Sequence, residues 1–215
     1  MPPVIILFAK APVPGHVKTR LLPFLSPTEA ASLHTAFVLD TIERLQLFTG
    51  ALLELHTDIN TDAWRAIGVS RRLQAEGDLA SKMFHALQSA LSQGHPRATI
   101  VGSDSPTLPG GYIRELMASS ADVALGPTED GGYYAISCAR VDREMFRGVE
   151  WSGPDTLAQT VQAVQACGLS VETGRSWFDI DTPEDLRRLS ESPELPPHTR
   201  SWFNAIRANC GRAAI

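Results

Sequence analysis

An α/β fold built on a layered sheet is what this sequence predicts, and two features carry the prediction. Val4-Ile5-Ile6-Leu7-Phe8-Ala9 is a continuous, β-branched apolar run. It is too short for a helix and has the pattern of a parallel strand buried on both faces. The next segment is an amphipathic helix with a complete capping sequence, and the strand-then-helix pattern recurs along the chain. The 215 residues suit one domain over residues 1–190, with residues 191–215 as a C-terminal appendage.

Each element follows from local chemistry. After the first strand, Lys10 to Arg20 read as a loop, fixed by Pro12 and Pro14 and loosened at Gly15. Ser26 is an N-cap, Pro27 takes the first helical position, and Glu29 completes a capping box. Leu33, Phe37, Val38, Ile42 and Leu45 form the apolar face of that helix, and Gly50 ends it. Leu52 to His56 reads as a strand and Thr61 to Ile67 as a short helix. Asp78 caps a helix that buries Leu79, Met83, Leu87 and Leu91 and stops at Gly94. Further on, the pattern predicts a strand over 98–102, a helix over 112–119, and strands over 122–126 and 133–137. A helix over 157–167, a weak strand over 171–177 and a capped helix over 183–189 complete the domain. Pro193, Pro196 and Pro197 then break the pattern before an amphipathic piece over 199–208. The Trp202, Phe203 and Ile206 side of that piece suits either the chain's own core or a second copy in a homodimer.

Composition excludes several classes. With 19 basic against 24 acidic residues, a net charge of −5 argues against a nucleic-acid partner. No apolar run approaches the ~20 residues needed to cross a bilayer, and Val4–Ala9 lacks the basic flank of a signal peptide. Cys138, Cys167 and Cys210 are scattered and odd in number, which suits a reducing cytoplasm.

Ligands of open α/β sheets sit beyond the carboxyl ends of the strands, which singles out the loops after Ala9, Gly102 and Gly126. The first loop carries Lys10, His16, Lys18 and Arg20 around Gly15. Such a set suits a polyphosphate, although it also fits a solvated charged loop, and it lacks Walker A spacing. Asp104, directly after a buried strand, is either a ligand for a hard divalent cation or a turn cap. Glu129-Asp130-Gly131-Gly132-Tyr133-Tyr134 is good hairpin chemistry, and its adjacent glycines also permit close approach of a ligand. In Asp179-Ile-Asp-Thr-Pro-Glu-Asp185, capping accounts for Thr182 to Asp185 and leaves Asp179 and Asp181 without a local role. Trp151, Ser152 and Thr156 lie in a loop long enough to cover a site, though the Trp suits plain core equally. His34, His56, His85 and His95 share no ligand spacing and read as ordinary structural or surface residues. No nucleophile elbow is present.

Taken in order, the blocks Phe8 to Leu21, Gly102 to Leu108, Gly126 to Tyr134, Trp151-Ser152 and Asp179 to Leu186 resemble one family. This is the bacterial glycosyltransferase family related to phospholactate guanylyltransferase, within the nucleotide-diphospho-sugar transferase (GT-A) superfamily. The resemblance spans about residues 4–190. It implies a Rossmann-like GT-A fold: a mostly parallel central sheet with one antiparallel strand and helices on both faces. It implies a nucleotide, either an NTP or a nucleotide sugar, held by Ala9, Lys10, Gly15, Lys18, Arg20 and Ser103. Asp104 and Asp181 would bind Mg²⁺ or Mn²⁺, and Lys18, Arg20 and Asp130 would be catalytic. Gly131, Gly132, Tyr133, Trp151 and Ser152 would contact a small-molecule acceptor. Two departures stand out: Ala-Pro-Val-Pro-Gly replaces the usual Gly-x-Gly opening, and Ser-Asp-Ser stands where glycosyltransferases carry Asp-x-Asp. The expectation is Mg²⁺-dependent nucleotidyl transfer, with glycosyl transfer and non-catalytic nucleotide binding as competitors.

Overall fold

The computed structural model describes residues 1–210, the last two by their backbone alone. Among these residues seven strands form one sheet: β1 (Val4–Ala9), β2 (Leu52–Thr57), β3 (Ser70–Leu73), β4 (Ala98–Gly102), β5 (Val123–Pro127), β6 (Tyr133–Cys138) and β7 (Val171–Thr173). Their spatial order is β3-β2-β1-β4-β6-β5-β7. β6 runs antiparallel to both β4 and β5, and every other pairing is parallel. The expected mostly parallel sheet with one antiparallel strand is therefore present.

Six α-helices accompany the sheet among the described residues: α1 (Pro27–Gln46), α2 (Leu79–Ser92), α3 (Gly110–Ala118), α4 (Thr156–Ala166), α5 (Pro183–Ser190) and α6 (Pro197–Cys210). Successive side chains of a strand point to opposite faces, so β1 supplies two cores at once. Val4 and Ile6 pack with Met83 and Leu87 of α2 and Val164 of α4. Ile5 and Leu7 pack with Val38 and Ile42 of α1 and Ile113 and Leu116 of α3. This double burial explains why the run has no polar alternation. Truncating Ile5, Ile6 or Leu7 to Ala would leave a cavity worth ~2–5 kcal/mol. Both capping boxes form as the sequence predicts, at Ser26–Glu29 and at Thr182–Asp185.

Three expectations need correction, and one strand went unread. Leu79, expected on the buried side of α2, is 43% exposed. The segment over 61–67 is a series of turns rather than a helix. Its Trp64 is 1% exposed and packs into the α1-side core, and Ile67 donates to the Trp64 carbonyl before Gly68 turns at φ 67°. Anchoring one large ring outweighs the weak helix propensity of so short a segment. β3 escapes a pattern search because Ser-Arg-Arg-Leu has no apolar alternation, and all four residues are exposed at the sheet edge. β7 spans only 171–173, while Trp177 makes an isolated bridge to Thr128.

The segment after Ser190 returns to the body of the molecule. Trp202 and Phe203 of α6 join Leu33 and Phe37 of α1 and Leu186 and Leu189 of α5 in a third core cluster. Asp40 of α1 fastens the start of α6. Its Oδ1 accepts the His198 N–H at 2.9 Å, and its Oδ2 accepts the Thr199 N–H at 2.8 Å and the Thr199 hydroxyl at 2.6 Å. No helix among the described residues is long and apolar enough to cross a membrane.

Candidate active site

From β1 the sheet grows to one side through β2 and β3, and to the other through β4. That reversal of strand order opens a crevice at the carboxyl ends of β1 and β4. The loops leaving these two strands converge there. The first is held at its base by two contacts: Asp58, just past β2, accepts the Ala11 N–H at 2.7 Å, and His34 Nε2 donates to the Lys10 carbonyl at 2.9 Å. A carbonyl only accepts, so this ring carries its proton on Nε2. Burial lowers the His34 pKa, with the nearby Asp104 carboxylate pulling the other way.

The loop closes at Lys18, whose backbone is left-handed with φ 49° and ψ 40°, immediately before the single turn Thr19–Leu21. Leu21, fully buried in the third core cluster, anchors that turn. Lys18 itself is folded inward, its side chain 3% exposed. Its Nζ lies 2.6 Å from Asp104 Oδ1 and 3.1 Å from Asp181 Oδ1, and donates to the Ile180 carbonyl at 2.6 Å. Burial works against the ammonium, but Asp104 and Asp181 more than offset it and raise the Lys18 pKa above its ordinary value. Burial likewise works against the Asp104 carboxylate, and Lys18, followed by His34, overrides it and holds that pKa low. Arg20 reaches the same group from outside, with its guanidinium 3.6 Å from Asp181 Oδ2 and its side chain 59% exposed.

The segment 179–181 is tied to the end of β4 by its backbone, because Ile180 donates to the Asp104 carbonyl at 2.9 Å. Ser105 adds a second tie, donating its hydroxyl to Asp179 Oδ1 at 2.5 Å. Burial pushes the Asp179 carboxyl up to about 7, with the Ser105 hydrogen bond pulling the other way and Asp104 reinforcing the rise. Two carboxylates thus meet one ammonium at the strand ends, and Ser105 holds Asp179 beside them. Asp104 and Asp181 remain 46% and 39% exposed, so their oxygens face open space as well as Lys18. Among the described residues no backbone N–H reaches the Asp104 carboxylate, which sets aside the turn-cap reading.

The expected site residues fall into two groups. Lys18, Arg20, Asp104 and Asp181 come together directly. Ala9 is buried at the end of β1, Ser103 is buried at the end of β4, and Lys10 and Gly15 are exposed on the first loop. The second group is built largely from its own contacts. Asp130 Oδ1 accepts the Thr128 hydroxyl at 2.6 Å and the Gly132 N–H at 3.2 Å. Gly131 has φ 90°, and a Cβ there would lie 1.9 Å from the Pro154 carbonyl oxygen, so only glycine fits. That contact presses the hairpin turn against the Trp151–Asp155 loop. Trp151 packs edge-on to Tyr133 and against Phe146, on the margin of the α2/α4 core. Ser152, at φ 63°, is with Lys18 one of two non-glycine residues of left-handed backbone among the described residues. The two groups are linked through the Glu129 N–H to the Trp177 carbonyl, two residues before Asp179.

Sequence reasoning passed over Asp58, and it read His34 only as an ordinary structural or surface residue. Asp58 carried the same signal as Asp104, a carboxylate just past a buried strand. His34 had none, because only the folded chain brings α1 against the first loop.

An α/β fold of this kind is shared with a nucleotide-diphospho-sugar transferase, and the chain is an enzyme of the transferase class. More particularly, it belongs to the family described as "Uncharacterized protein conserved in bacteria (DUF2064)", whose model matches residues 38–153. The chain is 26% identical over 200 residues to 2-phospho-L-lactate guanylyltransferase of Methanothermobacter thermautotrophicus, covering 89% of this chain and 86% of that one. It is similar to a crystal structure from Desulfovibrio desulfuricans G20 described as a nucleotide-diphospho-sugar transferase. The TM-score is 0.85 and the identity 28%, over 96% of this chain and 95% of that one. The fold alone is shared with 2-C-methyl-D-erythritol 4-phosphate cytidylyltransferase of Thermus thermophilus, at a TM-score of 0.52 and 15% identity over 86% and 96% of the two chains.

Proposed function

We propose that this enzyme transfers a nucleotidyl group from an NTP to a small phosphorylated or hydroxyl acceptor, with release of pyrophosphate, and that it works in the cytoplasm. The observation that carries this reading is the ammonium of Lys18 set between Asp104 and Asp181 at the β1/β4 crevice, with Arg20 outside it. An acceptor oxygen attacks the α-phosphorus, a new P–O bond forms, and the bond to the β-phosphate oxygen breaks. An acceptor phosphate is already ionised at neutral pH and needs no general base, whereas a hydroxyl acceptor gives up its proton to water or to the departing pyrophosphate. Catalysis is then positioning and charge neutralisation, which the donors of Lys18 and Arg20 supply to the polyphosphate. Two half-exposed carboxylates are the hard oxygen donors that Mg²⁺ or Mn²⁺ prefers, so Asp104 and Asp181 fit that ion. When bound, it would polarise phosphate oxygens and stabilise the departing pyrophosphate. Ala9, Lys10, Gly15 and Ser103 would line the nucleotide. Asp130, Gly131, Gly132, Tyr133, Trp151 and Ser152 would face the acceptor.

The similarity to 2-phospho-L-lactate guanylyltransferase supports GTP and phosphorylated hydroxy acids as the first pair to try. The nucleotide-diphospho-sugar transferase description favours glycosyl transfer as a second reading. Pyrophosphate release measured across four NTPs with Mg²⁺ and a panel of phosphorylated acceptors tests the choice. Nucleoside diphosphate from a nucleotide sugar, with no pyrophosphate from any NTP, overturns the nucleotidyl reading and leaves the fold standing.

A further inference from the structure

Resting on that reading of the carboxylates, we propose that Lys18 is a resident cation holding the place of the divalent ion in the ligand-free site, so that the ion binds weakly until Lys18 is drawn off onto a phosphate. The geometry is specific. The Nζ contacts Asp104 Oδ1 and Asp181 Oδ1 at 2.6 and 3.1 Å. Mg²⁺ sits ~2.0–2.1 Å from its oxygen ligands, so an ion taking these same two oxygens would lie against the ammonium. Two cations cannot share that space without strong repulsion. Asp181 has no oxygen free of this competition, because its Oδ2 already faces Arg20 at 3.6 Å. Asp104 Oδ2 has no partner among the described residues and is the natural first contact for an arriving ion.

The position is also built rather than incidental. Lys18 holds a left-handed backbone that lysine seldom adopts, its side chain is 3% exposed, and the Phe37 ring lies 5.4 Å from its Nζ. A buried ammonium gives up two carboxylates only if another anion replaces them, and a nucleotide phosphate is such an anion. Nucleotide therefore improves ion binding, and by linkage the ion improves nucleotide binding by the same factor. This arrangement keeps the two carboxylates close together without metal while disfavouring a metal-loaded enzyme that lacks substrate.

The test is Mn²⁺ binding to the nucleotide-free full chain, followed by the electron paramagnetic resonance signal of free Mn²⁺. Lys18→Met should bind Mn²⁺ at least tenfold more tightly than wild type, whereas Lys18→Arg, which keeps the charge, should stay near wild type. A purely structural or substrate-binding lysine predicts equal or weaker Mn²⁺ binding in Lys18→Met, and that result overturns the proposal. Asp104→Asn separates the two levels. If it abolishes Mn²⁺ binding while Lys18→Met fails to tighten it, the metal site stands and the role of Lys18 falls. If Asp104→Asn binds Mn²⁺ as wild type does, both fall. Should Lys18→Met not fold alone, Mn²⁺ should restore its cooperative melting transition. Absence of any such transition at saturating Mn²⁺ also overturns the proposal.

Discussion

Two acidic clusters in this protein look alike on a list of residues and differ in where their lone pairs go. Asp40, with Glu43 and His198, brings three metal-competent ligand atoms within 4.8 Å of one another. Yet Asp40 is 2% exposed, and both its oxygens are used on the first N–H groups of α6 and the Thr199 hydroxyl. His198 Nε2 is likewise taken, 2.8 Å from Glu43. Asp104 and Asp181 share one lysine and remain close to half exposed. A carboxylate whose oxygens are fully used by backbone donors is a fastener. One whose oxygens are shared only with side-chain cations at a strand-end crevice is available for chemistry. Proximity of ligand types does not separate the two cases, whereas the count of uncommitted oxygens does.

This contrast breaks if the two clusters respond alike to mutation. The largest expected effect on stability is at the fastener. Asp40→Ala removes three hydrogen bonds to a charged acceptor and strands two N–H groups at the start of α6, at a cost of ~3 kcal/mol. For a chain this long that corresponds to a melting temperature lower by roughly 6–12 °C. Turnover, measured well below the transition, should be unchanged, and a kinetic defect there would place Asp40 in the site instead.

Asp104→Asn should show the converse. Turnover should fall by ~100-fold or more, since ion-assisted charge stabilisation is worth several kcal/mol. Its melting temperature should fall far less than that of Asp40→Ala, because Asp181 and the Ile180 carbonyl still hold the Lys18 ammonium. Calorimetry alongside steady-state kinetics decides this, and equal thermal losses in both variants would erase the distinction.

A smaller effect at Asp179 sharpens the contrast. Its carboxyl is raised to about 7, whereas an unfolded Asp titrates near ~3.9. Below ~4 both states are protonated. Between ~4 and 7 the unfolded chain has released the proton and the folded chain has not, so stability declines as pH rises through that window. Asp179→Asn should flatten that part of the metal-free melting-temperature profile and leave the profile below pH ~4 as in wild type. An unchanged slope would mean that Asp179 is already ionised when folded.

How much of this was legible beforehand depended on how local the signal was. The capping boxes at Ser26 and Thr182 were readable because cap and partner lie three residues apart. β1 was readable because burial on both faces leaves no polar position. The basic loop and Asp104 were readable through the strand-end rule, and Asp179 and Asp181 stood out because capping left them unexplained. Edge strand β3 and the turns around Trp64 were not readable. One is exposed and charged, and the other is shaped by where a single ring is buried.

Residue order alone determined the alternation of strands and helices, their caps, and which polar residues stand at strand ends, since each depends on neighbours a few positions away. Only the tertiary structure decided that Lys18 turns inward while Arg20 stays in solvent. It alone decided that Asp181 meets Asp104 from a distant part of the sequence, and that Asp40 is committed to α6 while Asp104 is not. Those outcomes depend on which groups burial forces together, because an ammonium withdrawn from water must find carboxylates wherever the fold supplies them.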